Sequence, residues 1–199
     1  MYSKSTTNVA NPQHLIHRLP AGMMQGDKST EIFACRESQK LFALSDGKSI
    51  PFEELDPALR AQIFEKLLDD SKALEDLKHF NQSDALSKYA FCIYGAADSN
   101  PDFCADGNLK EADNFICGNS CQCLKWQSKN ITINGNRLTI REIEIIQLLA
   151  TDKSDKMVAD ELGICTSTLD THKNHLFEKA GVFSKSGLIV AAIDEKIIQ

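Results

Sequence analysis

Apolar residues recur at helical spacing in two stretches of the chain, separated by a tract where they lose regular period. In the first stretch, LDPALRAQIFEKLLDDSKALEDLKHF, Ala58, Ile63, Leu67 and Leu74 fall near the helical repeat, and Phe64 and Leu68 widen the stripe. Asp56 before Pro57 reads as an N-cap followed by a first-turn proline. The spacing predicts a helix from there, a restart at Ser71, and a short helix from Ser83 to Tyr89. Upstream, residues 1–30 mix polar, Pro and Gly positions and read as a loose tail. The segment EIFACRESQKLFAL has apolar residues at Ile32, Phe33, Leu41, Phe42 and Leu44, a pattern that fits strand or helix, and SDGKSIPF reads as a turn.

The second stretch, residues 138–199, predicts four helices over about 139–151, 154–162, 166–180 and 185–196. Ser154 and Ser184 stand at cap positions, and Gly163 and Gly181 sit where helix ends favour left-handed backbone. Ile143, Ile146 and Leu149, then Val158 and Leu162, then Leu169, Leu176 and Ala180, then Leu188, Ala191 and Ala192 mark the inner faces. Just before, ITI reads as a short strand and its Asn-Gly step as a tight turn.

Two short helices joined by a Gly-containing turn form a helix-turn-helix, and KMVADELGICTSTLDTHKNHLFEKAGV has that spacing. Its second helix would enter the major groove. Ser167, Asp170, Thr171 and Asn174 would point outward, where Asn can pair with adenine and Thr can meet a thymine methyl. Lys156, Lys173, Lys179 and Lys185 are the candidates for phosphate contacts. His172 and His175 read as packing or phosphate-contact residues, because no acidic partner pattern completes a metal site.

These residues carry a family resemblance. The LTxRExE start at Leu138 to Glu144, the SxKxxA step at Ser154 to Ala159, the STLxTH run at Ser167 to His172, and the EKAGV and SKSGLIVAA endings resemble the LuxR-type (NarL/FixJ-like) DNA-binding domain. The resemblance covers about a third of the chain. It implies a four-helix domain whose third helix reads double-stranded DNA and whose fourth often dimerises. The chain departs from the family at Asp152, where Gly is usual, and at Asp155, where Asn is usual. It also departs at Cys165, where Ser or Thr caps the recognition helix, and at Asp170, where a basic residue is frequent. Thr166 is the residue expected to take over part of the missing cap.

Composition narrows this picture. Hydrophobic residues make up 42% and charged residues 25% of 199, which excludes wholesale disorder and fibrous repeats. The formal net charge of −6 argues against a broadly basic, sequence-indifferent nucleic-acid binder. Residues 131–199 hold eight Lys and Arg against ten Asp and Glu, so the reading is a specific, dimeric binder. A protein-interaction adaptor that reuses the helices without binding DNA is the alternative, favoured by the acidic balance. The start MYSKSTTNVANPQHL has no apolar run after a basic region, and no stretch approaches a membrane span. The expectation is therefore a cytoplasmic protein without a membrane partner.

Cysteine is the unusual residue, with seven copies. Cys92, Cys104, Cys117, Cys121 and Cys123 fall in CIYGAADSNPDFCADGNLKEADNFICGNSCQC, a Gly/Asp/Asn-rich tract too long to be an ordinary loop without a function or clamp. Four thiolates suit a structural zinc ion, with Cys117, Cys121 and Cys123 completed by Cys92 or Cys104. An iron–sulfur cluster, redox thiols, and reduced cysteines that merely fill space and need no cofactor are the other readings. Cys35 and Cys165 read as packing residues. Asp98, Asp102 and Asp106 read as turn-formers, since no Glu sits at the twelfth position that a calcium loop needs. No nucleophile–base motif, phosphate loop or HExxH marks an enzyme.

The expected fold is mainly α. Residues 131–199 form a LuxR-type helix-turn-helix domain, and residues 1–130 form a helical, cysteine-rich regulatory or interaction module with little strand. That module lacks a phosphoacceptor receiver pattern and is the expected docking point for metal, redox signal or a regulatory protein.

Overall fold

Asp46 and Gly47, with φ of 50° and 73°, form a tight two-residue turn between two strands. The computed structural model describes residues 19–118 and 121–198. Strands β1 (Thr30–Cys35), β2 (Lys40–Ser45) and β3 (Lys48–Pro51) form an antiparallel meander in that order. The turn expected over SDGKSIPF is thus confined to Asp46 and Gly47, with strand on either side and a 3-10 turn beginning at Phe52. Ile32 pairs with Ala43 and both are fully buried, while Phe33 stacks on Phe42 with ring centroids 5.5 Å apart. Both faces of β1 and β2 therefore carry apolar side chains. The two-residue alternation of a half-buried strand was masked by this, which left strand and helix undecided in the sequence.

Of the expected loose tail, residues 1–18 lie outside the described residues. Residues 19–29 are held against the sheet: the Ala21 amide donates to the Asp98 carbonyl at 2.8 Å, and Asp27 accepts from Gly22 and Ser29.

Helices α1 (Pro57–Asp69), α2 (Ser71–Leu77) and α3 (Gln82–Ile93) cover the sheet. Asp56 accepts from the Ala58 amide at 2.7 Å as the cap before Pro57. The break between α1 and α2 resets the helical phase. Ala73 and Leu77 are buried, and the predicted Leu74 is 37% exposed. The cap of α2 is the buried Asp70, which accepts from Ala73 at 2.9 Å and from Ser128 at 2.6 and 2.7 Å. Helix α3 runs four residues past the expected Tyr89, so Cys92 stands on a helix rather than in the loop.

The tract after α3 is laid along the module. Thr30 and Phe103 exchange backbone hydrogen bonds of 3.0 and 2.9 Å beside β1. Hairpin β4 (Thr132–Ile133) and β5 (Asn136–Arg137) then turns on Asn134–Gly135, as the Asn-Gly step predicted. Helices α4 (Ile140–Leu149), α5 (Asp155–Leu162), α6 (Thr166–Ala180) and α7 (Lys185–Asp194) follow, each within about two residues of its expected bounds. The described residues thus hold seven α-helices and two small sheets, more strand than expected. They bury two hydrophobic clusters, one under the sheet and α1–α3, the other inside α4–α7.

Candidate functional site

The helix-turn-helix is positioned by the residues of the LTxRExE start. Thr139 caps α4, and Glu142 completes a reciprocal capping box with it. Glu142 also pairs with Lys179 near the end of α6 at 2.7 Å. Arg141 donates to the Leu162 carbonyl at 2.6 Å, closing the C-terminal end of α5. One turn of α4 therefore fixes the ends of both helices that follow it. Gly163, with φ of 66°, takes the left-handed backbone that ends α5 and lets α6 begin three residues later. Leu169 and Leu176 are fully buried, which turns the opposite face of α6 outward.

On that face Ser167, Asp170, Thr171 and Asn174 are all exposed. The four lysines differ from one another. Lys156 is exposed and makes no ion pair among the described residues. Lys173 is clamped by Asp155 at 2.6 Å and Asp170 at 2.8 Å. The Lys173 ammonium holds the Asp155 carboxyl below its ordinary range, and the two carboxylates hold Lys173 above its own. Lys179 is paired with Glu142, and Lys185 lies 4.0 Å from Asp155. Two of the family departures, Asp155 and Asp170, thus sit on the same lysine.

Cys165 is exposed rather than packed in the core. It occupies the cap position of α6 without a side-chain hydrogen bond to the helix amides, and Thr166 begins the helix instead of capping it. Its sulfur meets the Ser167 and Thr168 hydroxyls at 3.2 and 3.0 Å, and these hydrogen bonds bring the thiol down to about 7.

The other candidate site lies in the N-terminal half. The sulfurs of Cys92, Cys117, Cys121 and Cys123 all fall within 4.8 Å of one another, an arrangement that can hold a metal ion. Cys92 comes from α3, Cys117 from the long tract, and Cys121 and Cys123 from the start of a 3-10 turn. Cys104 is elsewhere, in a turn where its carbonyl accepts from Gly107, so the fifth cysteine of the tract stands outside the group. Cys92 and Cys117 are 3.7 Å apart, and Cys117 and Cys123 are 3.4 Å apart. All seven cysteines are free thiols. Hydrogen bonding among the four sulfurs pushes the Cys92 thiol far above its ordinary range and pulls Cys121 far below it.

Two cations flank the sulfurs, and the sequence reading missed both. Lys129 is 3% exposed, donates to the Cys92 carbonyl, and has no carboxylate in ion-pairing distance among the described residues. Arg36 donates to the Ile116 carbonyl at 2.6 Å and lies over the Phe115 ring at 4.8 Å. Four thiolates around a divalent ion carry a net charge of about −2, which these two side chains offset. One side of the cluster opens onto a cavity of about 780 Å³ that Phe42, Phe80, Phe91 and Trp126 also line.

Among the described residues no helix is long and apolar enough to cross a membrane. Residues 136–192 match the family described as bacterial regulatory proteins, luxR family. The chain is 39% identical over 61 residues to the transcriptional regulatory protein MctR of Rhizobium johnstonii, covering 31% of this chain and 28% of that protein. It is 34% identical over 62 residues to the oxygen regulatory protein NreC of Staphylococcus aureus, covering 31% of this chain and 29% of that protein. The chain thus spans less than a third of the length of these relatives. No solved structure matches it. The capping box, the helix-turn-helix and the matched residues agree: residues 136–192 are a domain of the luxR family of bacterial regulatory proteins.

Proposed function

We propose that this chain is a sequence-specific, DNA-binding transcriptional regulator. The observation that carries the reading is the exposed row Ser167, Asp170, Thr171 and Asn174 on the second helix of a luxR-family helix-turn-helix. Helix α6 lies in the major groove, with Asn174 and Thr171 at base edges and Lys156, Lys173, Lys179 and Lys185 at phosphates. The protein acts in the cytoplasm as a homodimer. On α7, Val190 and Ile193 are 57% and 51% exposed, which supplies an apolar face for a second copy.

The cysteine group holds one zinc ion. Sulfurs about 2.3 Å from a tetrahedral ion stand about 3.8 Å from each other. Separations of 3.7 and 3.4 Å for two pairs, with none beyond 4.8 Å, are close enough to that spacing to support a single ion. A cluster of several irons and bridging sulfides would spread its terminal thiolates farther apart.

Binding to genomic fragments, followed by fluorescence anisotropy against salt, tests the DNA reading. Affinity should fall steeply with salt, and Asn174→Ala should lose discrimination between fragments while keeping much of the nonspecific binding. Absence of binding at low salt, with a protein partner recovered instead, would favour an adaptor. Elemental analysis and an absorbance spectrum of anaerobically purified protein separate zinc from iron–sulfur.

A further inference from the structure

The cysteine group and the DNA-reading unit share residues of one core. Ile116 directly precedes Cys117, is 4% exposed, and belongs to the hydrophobic cluster of α4–α7 together with Ile131, Ile133 and Leu138. Leu124 directly follows Cys123 and packs against the same cluster. Asn114, three residues before Cys117, is a bridge. Its amide nitrogen donates to the carbonyls of Thr132 at 2.9 Å and Glu195 at 3.1 Å, and its oxygen accepts from the Thr132 amide at 2.9 Å. Cys92 belongs to the other half, on α3 between Phe91 and Ile93 of the first cluster.

The path continues to the recognition helix. Thr132 lies in β4, and Asn136 of β5 donates to the Lys179 carbonyl at 2.9 Å, near the C-terminal end of α6. Ser167 lies twelve residues away on that helix, roughly 18 Å along its axis. The cysteine tract therefore supports α6 from behind and leaves its outward row uncovered.

We propose that occupancy of the four-cysteine site by a thiophilic divalent cation controls the DNA-binding unit. The ion, bound by Cys92, Cys117, Cys121 and Cys123, keeps Asn114, Ile116 and Leu124 seated behind the β4–β5 hairpin, and its loss weakens DNA binding through that hairpin. This deepens, and rests on, the assignments of a metal site and a DNA reader made above. Loading replaces S–H bonds by metal–sulfur bonds and releases the thiol protons to solvent, with no change of oxidation state. Without the ion, the tract around these residues has little apolar period of its own to hold its course. The adjoining cavity gives ions and chelators a way in.

The test uses the full chain with zinc as the probe. Three quantities are followed, zinc content, affinity for a selected DNA fragment, and hydrogen exchange at the Thr132 amide. Zinc should bind in one equivalent. Chelation should weaken DNA binding about tenfold, a usual size for coupling between sites, and speed exchange at Thr132; zinc should restore both. Asn114→Ala should keep the zinc, bind DNA more weakly, and lose much of the response to chelation. Ile116→Val, which keeps most of the buried volume, guards against simple misfolding and should shift these values in the same direction by less. Zinc uptake with DNA affinity and Thr132 exchange both indifferent to chelation overturns the coupling and leaves both sites standing. Failure to take up zinc overturns the metal assignment and the proposal with it. A zinc-loaded protein that binds no DNA overturns the reader assignment and the proposal, while the metal site survives.

Discussion

Lys173 shows how two carboxylates can neutralise a cation beside the exposed row of α6. It is the lysine nearest the outward row of α6, and it is neutralised by Asp155 and Asp170. Asp155→Asn together with Asp170→Asn should release it, raise DNA affinity about two- to fivefold and steepen the salt dependence by about one ion. Unchanged affinity and slope would remove Lys173 from the phosphate contacts. Glu31 is the counterpart in the interior. It is fully buried, accepts from the Asp98 amide at 2.6 Å through one oxygen, and leaves the other without a hydrogen-bond partner among the described residues. Burial raises it from an ordinary 4.5 to about 9. Asp113 is raised to about 7 by burial, and Asp102 well above its usual range by burial and by Asp113 and Glu31 nearby. Between the unfolded and folded values the native chain binds more protons, so the contribution of Glu31 to stability is full below its ordinary 4.5 and falls as pH rises from there toward 9. The melting temperature should therefore drop between about pH 6 and about pH 9, and Glu31→Gln should shrink that drop. An equal drop in the variant would show that Glu31 ionises freely in the fold. Sequence spacing placed Asp98, Asp102 and Asp106 together as turn-formers. Asp98 and Asp106 do accept from amides two residues on, but Asp102 is 2% exposed and accepts from Ile32 at 2.6 Å.

At the scale of the element, the helices whose ends were marked by local chemistry were legible in the sequence. Asp56–Pro57, Ser154 and Ser184 all cap where their residue types direct, while the Thr139–Glu142 capping box, read in the sequence only as part of a family motif, emerged from the structure. Helix α6 is the exception, since Cys165 leaves its first turn without a side-chain acceptor. Cys165→Ser should stabilise the C-terminal unit by about 1 kcal/mol, read as a higher melting temperature. No gain would mean that the thiol already satisfies the helix end. Strands β1 and β2 were illegible for a different reason. Their apolar residues lie on both faces, because helices and the Cys92–Cys123 tract cover them from more than one side.

At the scale of the whole molecule, two hydrophobic clusters meet along a narrow band. Asn114 joins Thr132 and Glu195, Lys196 pairs with Asp98 at 2.8 Å, and Ile116 crosses into the second cluster. These contacts are few beside the packing within each half. The zinc-loaded chain should therefore unfold in one calorimetric transition and the chelated chain in two, the second belonging to α4–α7. A single transition in both states would show that the band holds without an ion.

The C-terminal helices, the caps at Ser154 and Ser184, the helix-turn-helix and the outward row of α6 were legible from the residues alone. Each of these depends on residues within a few positions of one another, where periodicity and capping act. The sequence also singled out the cysteines as the chemistry to explain. That Cys92 joins Cys117, Cys121 and Cys123 while Cys104 does not is a product of folding, because three separate segments must converge to bring those sulfurs within 4.8 Å. Folding also puts Lys129 and Arg36 beside them and Ile116 in the core of α4–α7. Such contacts join positions far apart in the chain, and no local pattern of residues records them.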